Sequence, residues 1–325
     1  MHRRPSRPVR LRALLVVLAA LPLGCITIDL PGGPPPPLVE TVVHGESGGK
    51  ILMLSLDGVL TGVPETNFFG GGESPVARAR EELERAREDD SIRGLLVRID
   101  SPGGTVSASD TLHQEILRFK RDRGVPVIAQ LMGLATSGGY YVAMAADRVI
   151  AQPTSVTGSI GVIFGGVNLA GLMEKIGIED QTLVSGPYKD AGSMLRPMSD
   201  AERVQLQSVL LDMFERFVDV VVQGRPQLTP ERIRALADGR IYSASQALDH
   251  GLVDEIGSIE DAVEATRLAA GLSKARVVTY HRPREYRNNL YSASLPAKRF
   301  DFQLSAALPR LPSATFLYLW PVAGP

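Results

Sequence analysis

Hydrophobic residues fall into two patterns along this chain. Short runs are apolar at nearly every position: ILMLSL (51–56), GLLVRID (94–100), VPVIAQL (125–131) and DRVIAQ (147–152). Runs of that length without alternation predict strands buried on both faces, as in a parallel sheet. QTLVS (181–185) predicts one more strand. Between the runs, apolar positions recur every three or four residues, the helical period. Ser74-Pro75 predicts a helix over 75–89, with the serine as cap and the proline in the first turn. Arg80/Glu84 and Glu81/Arg85 lie at i,i+4 on its solvated face. A second helix follows the turn SPGG (101–104) and stops at Gly124. Others are predicted from Ser137, over NLAGLMEKI (168–176), from a Ser199/Asp200 cap to Gln223, over LTPERIRAL (228–236) and over DAVEATRLA (261–269). Strands alternating with helices imply right-handed parallel crossovers and an α/β fold.

Two glycine-rich turns stand where such a sheet places its chemistry, at the carboxyl ends of strands. One is SPGG; the other is ATSGG (135–139), with Ser137 at the start of a helix. A serine hydroxyl is a poor nucleophile until a neighbouring base takes its proton. Lys189, in SGPYKD, is the candidate base. An amine serves as base only when its pKa falls about three units toward neutrality, and burial is the usual cause. The N–H groups of Gly138 and of the Gly103-Gly104 turn are candidate donors to an oxyanion. Ser137 could instead be only a helix cap, Lys189 a surface lysine, and the glycines plain turn-formers. Tyr140 and Tyr141 read as core or wall, and Asp190 as pairing locally.

Composition narrows the partners. The chain has 325 residues, 35 Lys and Arg against 36 Asp and Glu, and 44% hydrophobic residues, ordinary for a globular protein. A net charge of −1 argues against a nucleic-acid partner, which wants a basic surface. The five histidines show no metal-ligand spacing, and GESGGK (45–50) is short of a P-loop, with Ile51 where Ser or Thr is needed. No cofactor is expected. Residues 1–24 carry Arg3, Arg4, Arg7, Arg10 and Arg12, then the apolar stretch Ala13 to Leu23, too short for an ordinary span. LPLGC ends at Cys25, the only cysteine, and resembles a bacterial lipoprotein signal, with Pro22 three residues before the Cys and Leu21 beside it. The expectation is an exported, lipid-anchored protein facing the periplasm or another extracytoplasmic space. The other reading is an uncleaved N-terminal anchor with an incidental cysteine.

VRIDSPGG (97–104), ATSGGYYVAMAADRV (135–149), TGSIGV (157–162), GPYKD (186–190) and ADGRIYSASQALDHGLVDEIG (237–257) together resemble the signal peptide peptidase A family in its short, single-copy form. The resemblance covers about residues 50–275. It implies a crotonase-like (Clp-protease-like) fold of repeated β-α units with a parallel sheet and added C-terminal helices. It implies a serine endopeptidase with a Ser-Lys dyad: Ser137 the nucleophile, Lys189 the general base, Ser159 orienting the lysine. Gly104, Gly138 and Gly103 would supply the oxyanion site. It also implies a ring- or dome-shaped homo-oligomer, with nucleophile and base from adjacent subunits, acting on remnant signal peptides and other extended apolar peptides. Two other readings are a non-catalytic oligomeric scaffold that binds peptides, and a crotonase-type acyl-CoA enzyme, which leaves Lys189 unexplained. The expected layout is a signal peptide over 1–24, a Pro/Gly-rich tether over 25–49, a protease domain over 50–280 and an extension over 281–325. The extension shows no periodicity, yet Phe316 to Trp320 is too apolar to sit free in water. It could wrap the domain, meet another subunit or touch membrane.

Overall fold

The computed structural model describes residues 35–64, 66–67, 70–71, 73–283, 285–292 and 316–320. The signal segment and Cys25 lie outside the described residues. In chain order the elements are β1 (Val39–His44), β2 (Gly49–Asp57), the small pair β3 (Thr66–Asn67) and β4 (Gly70–Gly71), α1 (Pro75–Arg87), β5 (Ile92–Ser101), β6 (Gly103–Thr105) and α2 (Val106–Arg123). Then come β7 (Val127–Thr136), α3 (Gly138–Ala143), β8 (Arg148–Ala151), β9 (Val156–Gly158), β10 (Ile163–Phe164), α4 (Ala170–Ile176), α5 (Asp200–Gly224) and α6 (Pro230–Leu236). The chain continues through β11 (Ile241–Ser243), α7 (Ala244–Asp249), β12 (Glu255–Ile256), α8 (Ile259–Ala269), β13 (Ala275–His281) and β14 (Phe316–Leu319).

The main sheet runs β1-β13-β2-β5-β7-β8-β12, parallel along this path except for β1, with β9 added parallel to β7 and β11 antiparallel to β9. Its central strands are the uninterrupted apolar runs. Leu52, Leu54, Leu95, Val97, Val127 and Ala129 face one buried layer, and Ile51, Met53, Leu96 and Ile128 the other. α2, α3 and α5 cover the first face around Phe119, Tyr141 and Phe217, and α8 covers the second through Ile259, Ala262 and Val263. Caps stand where the residue types placed them. Ser74 accepts from the Ala77 N–H, Thr229 from the Arg232 N–H, and Ser199 forms a reciprocal capping box with Glu202. Gly124 ends α2 in the left-handed conformation.

Three expectations are corrected. Residues 181–185 form no strand; they are exposed, and no neighbouring strand offers them a ladder. An isolated apolar run cannot hold strand geometry without a paired backbone. The stretch read as a tether contributes β1, whose Val39 to Val42 pair with β13 from His281 to Val278. On α1, Arg80 does pair with Glu84 at 2.8 Å, but Glu81 turns to Arg282 and Arg85 to the Leu38 carbonyl. Among the described residues, no helix is long and apolar enough to cross a membrane.

Candidate active site

β7 and β9 run parallel, with Thr136 opposite Gly158. The next residue on each strand is a serine, Ser137 and Ser159. Among the described residues these are the two non-glycine positions with positive φ, 52° and 50°. Ser137 has ψ −114°, outside the left-handed well that an L-residue tolerates. Its N–H donates to the Gly158 carbonyl at 2.7 Å, and its carbonyl accepts from Tyr141 N–H at 2.9 Å. The Ser159 N–H donates to the Arg240 carbonyl at 2.7 Å. Backbone bonds to a neighbouring strand thus hold both serines in conformations the chain would not adopt unaided, a pattern found at functional sites. Ser137 is 1% exposed, and its hydroxyl is not used to cap α3.

The SPGG turn packs directly on this corner. Gly103 has φ 99°, and a Cβ there would stand 2.7 Å from the Gly138 nitrogen. A Cβ on Gly138 would stand 3.1 Å from the Gly104 nitrogen. The two turns approach so closely that only glycine fits at these positions. Leu60 clamps the turn from the far side, donating to the Gly103 carbonyl at 2.8 Å and accepting from Thr105 N–H at 2.9 Å. The Ser101 hydroxyl donates to the Gly58 carbonyl at 2.6 Å and accepts from Gly103 N–H at 3.0 Å. Ser137, Ser159, Gly103, Gly104 and Gly138 are therefore brought together as the sequence placed them.

Aromatic side chains wall the site. Tyr140 is buried and donates to the Leu252 carbonyl at 2.7 Å; Tyr141 is buried and donates to Asp110 at 2.5 Å. The His113 ring meets Tyr141 edge-on at 5.3 Å between centroids, and burial lowers its pKa to about 4. Burial raises the Asp110 carboxyl, but hydrogen bonds from Tyr141 and Arg216 outweigh it and hold the group below its ordinary value.

Lys189 is placed differently. It is exposed, in a turn where its N–H donates to the Gly186 carbonyl at 3.1 Å. Asp190 is tied to Arg196 at 2.7 Å, and Arg196 in turn to Glu202 at the head of α5. Among the described residues, no hydrogen bond joins Lys189 to Ser137 within one chain. Apolar residues before and after it in sequence are open to solvent: Leu183 is 97% exposed, and Leu172, Ile176, Tyr188 and Val204 are exposed too. Sequence reasoning missed two contributors to the corner. Leu60 acts through its backbone and leaves no signature. β14 pairs with β6 through Tyr318 and Gly104, and the run Phe316–Trp320 was its one visible signal.

The profile of Peptidase family S49 matches residues 119–273, a span that contains Ser137, Ser159 and Lys189. An Enterococcus faecium protein that carries the name signal peptide peptidase SppA is 36% identical over 241 residues, 74% of this chain and 70% of its own length. The chain belongs to the signal peptide peptidase A family. A protease-named protein of a Synechocystis species is 40% identical over 190 residues, 58% of this chain and 68% of its own. Protease 4 of Salmonella typhi is 33% identical over 226 residues, 69% of this chain, but the match spans only 35% of that longer protein. This S49 member is accordingly a protease of mixed α/β architecture with a largely parallel sheet.

Proposed function

We propose that this S49 peptidase is a serine endopeptidase with a crotonase-like (Clp-protease-like) fold, in which Ser137 attacks the peptide carbonyl. The backbone strain at Ser137 and Ser159, side by side at the ends of β7 and β9, is the observation that carries this reading. The Gly104 and Gly138 N–H groups, held against each other by the Leu60 clamp, would receive the oxyanion. In the proposed step, the Ser137 proton passes to an unprotonated Lys189 amine as the C–O bond forms. It then passes to the leaving nitrogen, and water hydrolyses the ester. Ser159 would orient the amine through its hydroxyl.

Lys189 is exposed in one chain, and the proposed dyad needs its amine taken out of water. We infer that the base is that of a second copy, in a ring- or dome-shaped homo-oligomer. The exposed Leu172, Ile176, Leu183, Tyr188 and Val204 support this. Large apolar side chains exposed in such number along one stretch of chain are normally covered by a partner, and a partner over Tyr188 would also cover the lysine beside it in sequence. Substrates would be remnant signal peptides and other extended apolar peptides, bound as strands. The protein would be exported and held at the membrane by lipid on Cys25. No cofactor is needed for this chemistry. The test is cleavage of an apolar signal-peptide mixture, read by mass spectrometry. Ser137→Ala and Lys189→Ala should each abolish product while the oligomer persists. Wild-type levels of product from both variants would remove the dyad.

A further inference from the structure

The ladder between β5 and β7 shifts register just before the candidate nucleophile. Ile99 stands beside Leu131 and Ser101 beside Ala135, so Met132, Gly133 and Leu134 share the space opposite Asp100 alone. Over this stretch β7 carries two residues more than β5, a bulge. The excess is even, so side-chain facing survives it: Leu131 and Ala135 both lie in the first buried layer. The other edge of β7 changes partner at the same place. Ile128 to Leu131 pair with β8, and Leu134 to Thr136 with β9. The bulge decides where Ser137 lands. With it, Ser137 comes level with Gly103, two residues on from the pairing of Ala135 with Ser101. A strand that kept the register of Leu131 and Ile99 would carry the serine two residues further, about 7 Å past that point. The close approach of Gly138 to the Gly103-Gly104 turn would then be lost.

One side chain closes the gap that the bulge opens. The Leu134 N–H donates to Asp100 Oδ1 at 3.1 Å, and the same oxygen stands 3.7 Å from where a Cβ of Gly133 would lie. Without that acceptor the Leu134 N–H would lose its partner inside the bulge, which is costly away from water. Asp100 is itself held firmly. Its carbonyl accepts from the Gly58 N–H at 2.9 Å, and the next residue, Ser101, bonds both Gly58 and Gly103 through its hydroxyl. Asp100 thus grips the strand of the nucleophile through its side chain, while its backbone leads into the turn of the oxyanion donors.

We propose that Asp100 is a positioning residue for Ser137: its carboxylate fixes the β7 bulge that sets the serine against the glycines of the oxyanion turn. This rests on Ser137 being the nucleophile. The role needs an acceptor oxygen at that reach and does not need the negative charge. It acts on the placement of the attacking oxygen rather than on the surface that holds a peptide, so its loss falls on kcat.

Cleavage of an apolar peptide by the purified full chain, with kcat and KM measured separately, tests this. Asp100→Ala should lower kcat at least about tenfold, because small misplacements of reacting groups are that costly, while KM changes by less than about twofold. Asp100→Asn keeps Oδ1 and should hold kcat within about threefold of the wild type. Should Asp100→Ala fail to fold, Asp100→Ser, polar but one bond too short to span the bulge, carries the same expectation. The proposal is overturned if the variant without the acceptor keeps its kcat, if its loss is all in KM, or if Asp100→Asn is as slow. Each of these leaves the peptidase reading intact, since the wild type still cleaves. Wild type that does not cleave, or Ser137→Ala that does, removes the Ser137 reading and this inference with it.

Discussion

Replacing Ser137 by glycine should make the protein more stable while ending its activity. At φ 52° and ψ −114° the serine lies outside the regions open to an L-residue. Such conformations cost about 1–3 kcal/mol, and with ψ far from the left-handed well the upper figure applies. Glycine removes that strain. Against this, glycine loses about 0.5–1 kcal/mol through the greater freedom of its unfolded chain. The lost β-carbon, fully buried here, costs about another 0.8 kcal/mol. The net is a gain of about 1 kcal/mol, or about 2 °C in melting temperature for a domain of this size. Ser137→Ala keeps the β-carbon and hence the strain, so it is the control: equally inactive, without the gain. Thermal and urea denaturation of both variants at one protein concentration, beside peptide cleavage, make the comparison. If Ser137→Gly melts at or below Ser137→Ala, the serine is not held under strain, and the backbone argument for its role is wrong.

Gly104→Ala forces a β-carbon into the Leu60 carbonyl, and backbone cannot yield there. Loss of cleavage and a destabilisation above about 2 kcal/mol are expected. Gly133→Ala, whose β-carbon would meet only Asp100 at 3.7 Å, should be close to neutral in both assays. His113 should give stability an acid limb. Its folded pKa, about 4, lies below the ordinary 6.5 because burial disfavours the imidazolium. Between those values the unfolded chain binds a proton that the folded one does not. Stability should therefore hold above pH 6.5 and fall by about 3 kcal/mol as pH drops to 4, then level off. Asp110 and Arg216 also face the ring and should titrate outside or at the lower end of this window. Urea midpoints across that range should slope in the wild type and flatten in His113→Gln; an unchanged slope would exonerate the histidine.

The sheet's centre was legible because β2, β5 and β7 are covered on both faces, so nearly every central position had to be apolar. Helix ends were legible because Ser74, Ser199, Thr229 and Gly124 each satisfy or release a backbone group in a way only a few residue types can. β1 and β14 were not legible, since each exists through a partner far along the chain: His281 for Val39, Gly104 for Tyr318. The residues at 181–185 had strand composition but no partner edge. Spacing within motifs was enough to bring Ser137, Ser159 and the three glycines to one corner, because all sit at the ends of adjacent strands. Lys189 follows no such strand, so nothing local fixes where its amine goes.

Mixing two inactive proteins tests most directly whether Ser137 meets the Lys189 of another copy. Ser137→Ala and Lys189→Ala, dissociated, combined in equal amounts and reassembled, should recover about a quarter of wild-type cleavage. In a closed ring with one contact of each kind, that is the share of sites pairing an intact serine with an intact lysine. A mixture as inactive as its parents, in a reassembled particle of wild-type size, would contradict the account.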